Sequence, residues 1–172
     1  MRRLVPADAS GYRALRQRAL HEHTEALTSS IEEESELALG HPENRLAAGS
    51  ATWLWGAFEA AGRIGMVRLT FEPRIKNRHT ATLVVMYVAA ERSGRGVGQA
   101  LLQTALAAAR QASLGLVRLT VTAGNAPARA IHARAGFELM GLEPDAMRVK
   151  GLSPGKEHWF IRLAPARASD AT

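Results

Sequence analysis

A glycine-rich turn lies between residues 83 and 102, where it joins an apolar, strand-like run to a segment rich in alanine and leucine. Gly94, Gly96 and Gly98 stand in this turn. Glycine adopts backbone angles that other residues avoid and leaves room for a ligand to reach the main chain. The first N–H groups of a helix have no intrahelical partner, and the positive end of the helix dipole attracts anions. The turn therefore predicts a cradle for a phosphate or pyrophosphate group.

The glycine spacing disfavours two common phosphate ligands. A dinucleotide fingerprint requires G-x-G-x-x-G and an acidic residue about 20 positions later. Here the spacing is G-x-G-x-G, and the next strand-like run, Leu116 to Thr122, ends without a carboxylate. A P-loop requires Lys-Ser or Lys-Thr after its last glycine, where this chain has Gln99 and Ala100. Dinucleotides and nucleoside triphosphates are therefore both disfavoured.

The turn resembles the acetyl-CoA loop of the GNAT N-acetyltransferases, in which Arg/Gln-x-x-Gly-x-Gly/Ala lies between the fourth strand and the following helix. Aligned on the glycines, the two glycine positions are Gly96 and Gly98, and the Arg/Gln position is Ser93. Because the family holds the pyrophosphate largely through backbone N–H groups, Ser93 is compatible with binding, and Arg92 or Arg95 could supply the missing positive charge. The alternative is a turn that only reverses the chain.

A second segment stands at the distance that the family requires. Residues 125–137 resemble the pattern Asn-x-x-Ala-x-x-Leu/Ile-Tyr-x-x-x-Gly-Phe. Asn125 is suited to cap a helix, Pro127 is allowed in the first turn, and Gly136 suits the left-handed residue that ends a helix. The helical spacing predicts a face that packs on a sheet, formed by Ala128, Ile131 and Ala135.

The resemblance implies an α/β (α+β) fold of the GNAT type, with a mixed central sheet of about seven strands, flanking helices and a splay between strands four and five. It implies that pantetheine hydrogen-bonds to the unpaired strand backbone like an added strand. The acetyl-CoA-binding residues implied by the two motifs are Met86, Tyr87, Val88, Ser93, Gly94, Arg95, Gly96, Val97, Gly98, Gln99, Asn125 and His132. The implied reaction is direct transfer of the acetyl group to a primary amine, and the absence of cysteine is compatible with it.

His132 occupies the position at which many family members carry a tyrosine thought to protonate the leaving CoA thiolate. With an unperturbed pKa of about 6.5, a histidine there is a competent acid near neutrality. The alternative is that His132 fills space beside the thioester and hydrogen-bonds to it or to water. Relatives place a base where this chain has Thr120, so the remaining candidates are ordered water, Glu91, His79 or a residue of the acceptor site.

Length and composition predict a single N-acetyltransferase domain, residues 1–165, followed by a frayed tail, residues 166–172. The 172 residues carry a net charge of +6 and are 47% hydrophobic. Nucleic acid is disfavoured as a partner because the arginines are scattered and few aromatics are available, although part of the charge could steer polyanionic CoA. The longest apolar run is about half of a membrane span and no secretory signal is evident, so we expect a cytoplasmic protein with no membrane partner.

The acceptor site is the least defined part of the sequence. In the family the first helices and the final hairpin shape it, which here means residues 12–49 and 144–158. The acidic run at residues 31–36 would attract a cationic amine if it lay at the cleft, whereas a solvated helix face explains the same run. His21 and His23 would face different ways on a helix, and the histidines share no ligand spacing, so no metal is predicted. A homodimer is compatible with the sequence.

Hydrophobic periodicity predicts the element order of the GNAT fold: a strand, helices, three antiparallel strands, a helix, a strand, a helix and two strands. The helix between strands four and five implies that these two strands are parallel. The predicted strands are residues 2–5, 52–59, 63–71, 79–89, 116–122, 137–142 and 157–163, and the main helices begin after Asp8 or Ser10, at Gly96 and after Asn125.

Two classes of function follow. The favoured class is an acetyl-CoA-dependent N-acetyltransferase that acts on a small molecule or a peptide. The alternative is a non-catalytic acyl-CoA sensor on the same fold, suggested by the departures at Ser93, Thr120 and His132.

Overall fold

A seven-stranded mixed sheet organises the computed structural model, which describes residues 1–36, 41–60 and 62–164. The strands lie in the order β1-β2-β3-β4-β5-β7-β6, and every neighbouring pair is antiparallel except β4 and β5. The predicted parallel pairing is therefore confirmed. The strands are β1 (Arg2–Arg3), β2 (Thr52–Glu59), β3 (Gly62–Phe71), β4 (Thr80–Val88), β5 (Leu116–Thr122), β6 (Glu138–Glu143) and β7 (Lys156–Arg162).

Five α-helices of the described residues flank the sheet, and none of them has the length and apolar character needed to cross a membrane. The predicted tail at residues 166–172 lies outside the described residues, as does Ala61 between β2 and β3. The helices are α1 (Ala9–Glu22), α2 (Ile31–Glu36), α3 (His41–Leu46), α4 (Val97–Gln111) and α5 (Ala126–Arg134).

Alternation along the central strands sends side chains into two separate hydrophobic clusters, one on each face of the sheet. On one face, Val67 of β3 packs with α4. On the other face, Met66 of β3 packs with α1 and α3. Burying a side chain of this size stabilises the fold by about 1.5–3 kcal/mol. Each cluster therefore holds one set of helices to the sheet independently of the other.

The first helix, α1, buries one face, which includes Tyr12 and Leu15. Asp8 stands at the N-cap position, but its side chain does not bond to the helix N–H groups. Its carboxylate instead accepts hydrogen bonds from Arg2 at 2.7 Å and from Arg63 at 3.0 Å. The helix begins directly after Asp8, one of the two predicted starts, and the Asp8 carboxylate is bound by two guanidinium groups that β1 and β3 bring to it.

The helix α4 packs a broad stripe of its surface against the sheet. Val97 and Ala108 of this helix are only partly buried. A helix lying flat on a sheet covers a broad arc of its own surface, so neighbouring positions also enter the core. The buried residues are Leu101, Leu102, Ala105, Leu106 and Ala109.

The parallel strands β4 and β5 separate partway along their length. Pairing runs from Thr80 opposite Leu116 to Leu83 opposite Leu119 and then stops, although β4 continues to Val88. Val84 is skipped in the register between β4 and β3, and its side chain is 44% exposed. Such a bulge bends a strand and increases its twist. The bulge therefore bends β4 directly after Leu83, the residue at which its pairing with β5 ends.

Candidate functional site

A cavity of about 670 Å³ lies where β4 and β5 separate, and we call it the splay cavity. Three segments line it: the end of β4, the glycine-rich turn with the start of α4, and one face of α5. The structure brings together there nine sequence-predicted residues: Met86, Tyr87, Val88, Ser93, Gly94, Gly96, Val97, Gly98 and Gln99. Arg95, Asn125 and His132 are not among the lining residues.

The glycine-rich turn leaves the start of α4 open. Gly94 and Gly96 have φ angles of +76° and +77°, which side-chain-bearing residues rarely adopt. Gly96 is the N-cap residue of α4, so no side chain covers the first N–H groups of the helix. These groups and the helix dipole therefore face the splay cavity, as an anion-binding site requires.

Gly98 marks a close approach of three elements. A Cβ atom placed on Gly98 would lie 3.1 Å from Cδ1 of Ile131 on α5 and 3.6 Å from Cγ2 of Val88 on β4. A larger side chain would therefore fill the space between α4, α5 and the end of β4. The residues present fit a pyrophosphate, because the cradle combines free helix N–H groups with room for the ligand.

Two arginines contribute positive charge to the splay cavity. Arg92 lines it and donates to Glu59 through Nε at 2.7 Å, and Arg134 lines it from the end of α5. Arg95, the other cation considered from the sequence, is exposed and does not line the cavity. Sequence reasoning missed Arg134, although helical spacing from Pro127 and Ile131 could have placed it on the same face. The first turn of α4 carries no acidic residue that would oppose an anion.

Asn125 performs the structural role predicted for it. Its side chain accepts a hydrogen bond from the Ala128 N–H at 3.1 Å and caps α5. Gly136 follows the end of the helix with a φ angle of +94°. Asn125 therefore helps to fix the helix that forms one wall of the splay cavity.

His132 is buried and is not among the residues that line the splay cavity. Its side chain is 5% exposed, and its ring packs edge-on against Phe137 with centroids 5.6 Å apart. Its buried Nδ1 atom has no hydrogen-bond partner among the described residues. Burial lowers the pKa of His132 to about 4, so the imidazole is neutral at pH 7. Both roles considered for His132, proton donor and neighbour of the thioester, stay predictions.

The buried imidazole predicts a pH-dependent stability. Because the pKa of His132 is about 4 in the folded chain and about 6.5 when unfolded, the unfolded chain binds more protons between these values. Stability should therefore fall as pH drops from 6.5 to 4, by up to about 3 kcal/mol from this residue. His132→Phe should reduce the difference between urea midpoints at pH 7.5 and pH 4.5. The exposed His79, changed to Phe, is the control, and an equal effect of both variants would contradict the assignment.

Glu91 lies at the rim of the turn as an exposed ion-pair partner. Both of its carboxylate oxygens accept hydrogen bonds from Arg18, at 2.9 and 2.6 Å. These bonds lower the pKa of Glu91 to about 2, which makes the carboxylate a weak base. His79, the other titratable candidate, precedes β4 at the end opposite the cavity. Neither residue is arranged as a strong base beside the splay.

Tyr87, which lines the splay cavity, is hydrogen-bonded to the end of α1. Its hydroxyl group donates a hydrogen bond of 2.7 Å to Glu22 at the end of α1. Burial, together with this bond, raises the pKa of Tyr87, so its phenol is neutral at pH 7. The other oxygen of Glu22 accepts a bond of 2.7 Å from Arg18, and the two bonds lower the pKa of Glu22. Glu22 is therefore a permanent anion within a four-residue network that also includes Glu91.

A second cavity, of about 560 Å³, lies between the end of α1 and the end of β5, and we call it the α1 cavity. It overlaps the region in which the sequence predicts the acceptor site, through residues 21–26 and Lys150. Its lining residues are His21, Glu22, His23, Thr24, Glu25, Ala26, Thr122, Ala123, Gly124, Asn125 and Lys150.

The described side chains of the acidic run on α2, those of Glu32, Glu33 and Glu34, line neither cavity. Glu34 accepts a hydrogen bond from Arg16 at 3.2 Å and lies 3.7 Å from Arg45. Glu33 bonds to the Ser30 N–H at 2.9 Å and helps to start the helix. The described part of the run therefore holds α2 in place. No group of three or more potential metal ligands occurs in residues 1–36, 41–60 and 62–164.

A parallel strand pair that splays beside an uncapped, glycine-rich helix start is the architecture of an acyltransferase that uses acetyl-CoA. The model of the acetyltransferase (GNAT) family matches residues 14–137, and the chain belongs to this family. The family establishes acetyl-CoA-dependent acetyl transfer as the class of activity.

Solved structures show the same fold over nearly the whole chain. An acetyltransferase of the GNAT family from Streptococcus pneumoniae superimposes with a TM-score of 0.85 at 21% identity, covering 95% of this chain and 98% of the other. A Salmonella typhimurium protein solved with its cofactor acetyl-CoA superimposes with a TM-score of 0.78 at 20% identity, covering 99% of this chain and 97% of the other. A ribosomal-protein-alanine N-acetyltransferase from Brucella melitensis superimposes with a TM-score of 0.77 at 25% identity, covering 94% of this chain and 98% of the other. The predicted GNAT fold is confirmed.

Proposed function

We propose that this protein transfers the acetyl group of acetyl-CoA directly to a primary amine of a small molecule or peptide. The observation that carries the proposal is the splay cavity, in which a bare helix start and an unpaired strand edge meet. Acetyl-CoA supplies an activated acyl group as a thioester. The amine nitrogen attacks the thioester carbonyl, a C–N bond forms, the C–S bond breaks with its electron pair on sulfur, and one amine proton leaves.

Backbone groups supply most of the proposed co-substrate binding. The N–H groups at Val97, Gly98 and Gln99 bind the pyrophosphate, because they have no intrahelical acceptor and stand at the positive helix end. The free edge of β4 at residues 86–88 binds the pantetheine arm in the manner of an added strand. Arg92 and Arg134 add positive charge near the phosphates. This binding mode tolerates Ser93, since it depends little on side-chain identity.

Proton transfer in this proposal does not use His132 or Glu91 directly. His132 is neutral and buried, and Glu91 is an ion-paired weak base. An amine that is partly neutral at the working pH needs only water to accept the remaining proton. The rate should therefore rise with pH as the acceptor amine loses its own proton, and His132→Phe should leave the pH dependence of kcat/KM unchanged.

Thiol release tests the proposal. Free CoA should accumulate when acetyl-CoA is mixed with protein and a panel of primary amines, and mass spectrometry should find the amine heavier by one acetyl group. Because His132 and Glu91 are poorly placed for proton transfer, the acyl-CoA sensor is the second candidate. Calorimetry distinguishes the two functions, since acetyl-CoA binding without turnover on any amine supports the sensor. Absence of acetyl-CoA binding would contradict both.

A further inference from the structure

The splay cavity and the α1 cavity are built on opposite faces of the sheet. The helix α4, which opens into the splay cavity, packs in the cluster that contains Val67. The helix α1, which ends at the α1 cavity, packs in the cluster that contains Met66. The strand β4 separates the two faces and ends at Val88. A molecule in one cavity can meet a molecule in the other only where β4 and β5 have parted.

Tyr87 and Glu22 form the boundary between the two cavities. Tyr87 lines the splay cavity, Glu22 lines the α1 cavity, and the Tyr87 hydroxyl donates to the Glu22 carboxylate at 2.7 Å. The ring of His23, a further lining residue of the α1 cavity, packs edge-on against Tyr87 with centroids 5.8 Å apart. The Thr122 hydroxyl at the end of β5 donates a hydrogen bond of 3.1 Å to the backbone carbonyl of Glu25, so it links β5 to the segment that follows α1. The α1 cavity and the splay cavity are therefore neighbours, and Tyr87, in contact with Glu22 and His23, lies between them.

The residues that line the α1 cavity carry a net negative charge, although the chain as a whole carries +6. Two carboxylates line the cavity, and Lys150 is the ammonium group among its lining residues. Arg18 is shared between Glu22 and Glu91, so these three residues together keep one negative charge. Over the carboxylate, ammonium and guanidinium groups just named, the sum is one excess negative charge. A negative cavity in a basic protein favours a cationic ligand.

We infer that the α1 cavity receives the acceptor and that Glu22, bonded to Tyr87 at the boundary of the two cavities, selects an amine carrying a second positive charge. The reacting nitrogen must be uncharged to attack the thioester, so a fixed carboxylate beside it serves another cationic group of the same molecule. Diamines and peptides with a basic side chain meet this requirement. The inference rests on the proposed function, because it assigns the acceptor of that reaction.

Three acceptor molecules of the same chain length, which differ in the charge of their second group, test the inference. The probes are 1,4-diaminobutane, 4-amino-1-butanol and 4-aminobutanoate, which share a primary amine and a four-carbon chain but differ in the second group. The native protein should show a kcat/KM at least tenfold higher for the diamine than for the amino alcohol. In Glu22→Gln the ratio of kcat/KM for the diamine to kcat/KM for the amino alcohol should fall at least fivefold, because KM for the diamine rises. The substitution removes the charge but keeps a side-chain oxygen that can accept the hydrogen bond from Tyr87.

Two control variants separate selection by charge from a structural role. Tyr87→Phe removes the hydrogen bond but keeps the carboxylate, so the diamine preference should persist even if kcat falls. Glu138→Gln removes a carboxylate from the exposed edge strand β6. It should change neither the preference for the diamine nor the KM for the diamine. If Glu22→Gln lowers kcat/KM equally for the diamine and the amino alcohol, Glu22 is only structural and the inference is wrong. Preference of the native protein for 4-aminobutanoate, or equal rates for all three probes, would also overturn it.

Binding without turnover keeps this inference distinct from the proposed function. Saturation-transfer NMR should detect 1,4-diaminobutane bound to the native protein, and the signal should drop in Glu22→Gln and persist in Glu138→Gln. If no amine is acetylated but this binding pattern is seen, the proposed reaction fails while the cation site stands. If amines are acetylated but the diamine signal is the same in both variants, the reaction stands and the cation site fails.

Discussion

Gly98→Val should raise the Kd for acetyl-CoA at least 30-fold, which corresponds to about 2 kcal/mol of binding free energy. The added Cβ would lie 3.1 Å from Ile131, and the two further methyl carbons would occupy the space between α4 and the end of β4. A ligand anion would then lose one or more charge-assisted hydrogen bonds to helix N–H groups, each contributing about 1.5–3 kcal/mol. Isothermal titration calorimetry with acetyl-CoA measures the change.

Gly141→Val is the matched control, since a Cβ at Gly141 would meet no atom within 4 Å. Both glycines acquire the same side chain, but Gly141 lies on the edge strand β6, away from the splay cavity. Urea unfolding of each variant shows whether the fold is retained, and Gly98→Ala offers a smaller change at the same position if it is not. An unaltered Kd in folded Gly98→Val would show that the pyrophosphate binds elsewhere.

The glycine-rich turn and the α5 cap could be predicted because their chemistry is local. Gly96 provides a left-handed backbone immediately before α4, and Asn125 caps α5 through a residue three positions away. Such features depend on a few consecutive residues, so residue type and spacing are sufficient to find them. The parallel pairing of β4 and β5 was also predictable, because a helix connects them and covers one face of the sheet.

The orientation of side chains on α5 could not be predicted from the motif alone. The resemblance assigns His132 a position beside the reacting group, whereas in the structure Ile131 and Arg134 line the splay cavity and His132 lies in the interior. Successive residues on a helix differ by about 100° in direction, so the rotation of the helix about its own axis decides which of them faces the cavity. That rotation depends on packing against Phe137, which lies beyond the helix.

Long-range pairs account for the rest of what the sequence did not predict. Glu22 and Tyr87 are 65 positions apart, and neither belongs to a motif that suggests their hydrogen bond. The bulge at Val84 arises from the register between β3 and β4, which apolar alternation alone does not specify. Both features depend on contacts between elements. Because Tyr87 and Glu22 line different cavities, the boundary between the two cavities also follows from tertiary structure.

Leu106→Ala should lower the free energy of unfolding by about 3 kcal/mol, with a range of about 2–5 kcal/mol, and lower the Tm by about 6–12 °C. Leu106 is 0% exposed and packs in the cluster between α4 and the sheet, so truncation removes apolar contacts and leaves a cavity that neighbouring groups fill only partly. Differential scanning calorimetry and urea unfolding measure the change. Leu139→Ala is the control because Leu139 is 49% exposed on β6, and it should cost less than about 1 kcal/mol.

The same variant separates stability from binding. Leu106 is ten residues beyond Gly96, or about 15 Å along the helix axis, so its loss does not reach the N–H groups at the start of α4. The Kd for acetyl-CoA should therefore stay within about twofold of the native value at 20 °C, well below the Tm of the variant. Because Gly98→Val should show the opposite pattern, with weak binding and retained stability, the two variants test the cradle and the core independently. Loss of binding in folded Leu106→Ala would mean that the cradle depends on the packing of the whole helix rather than on its exposed first turn.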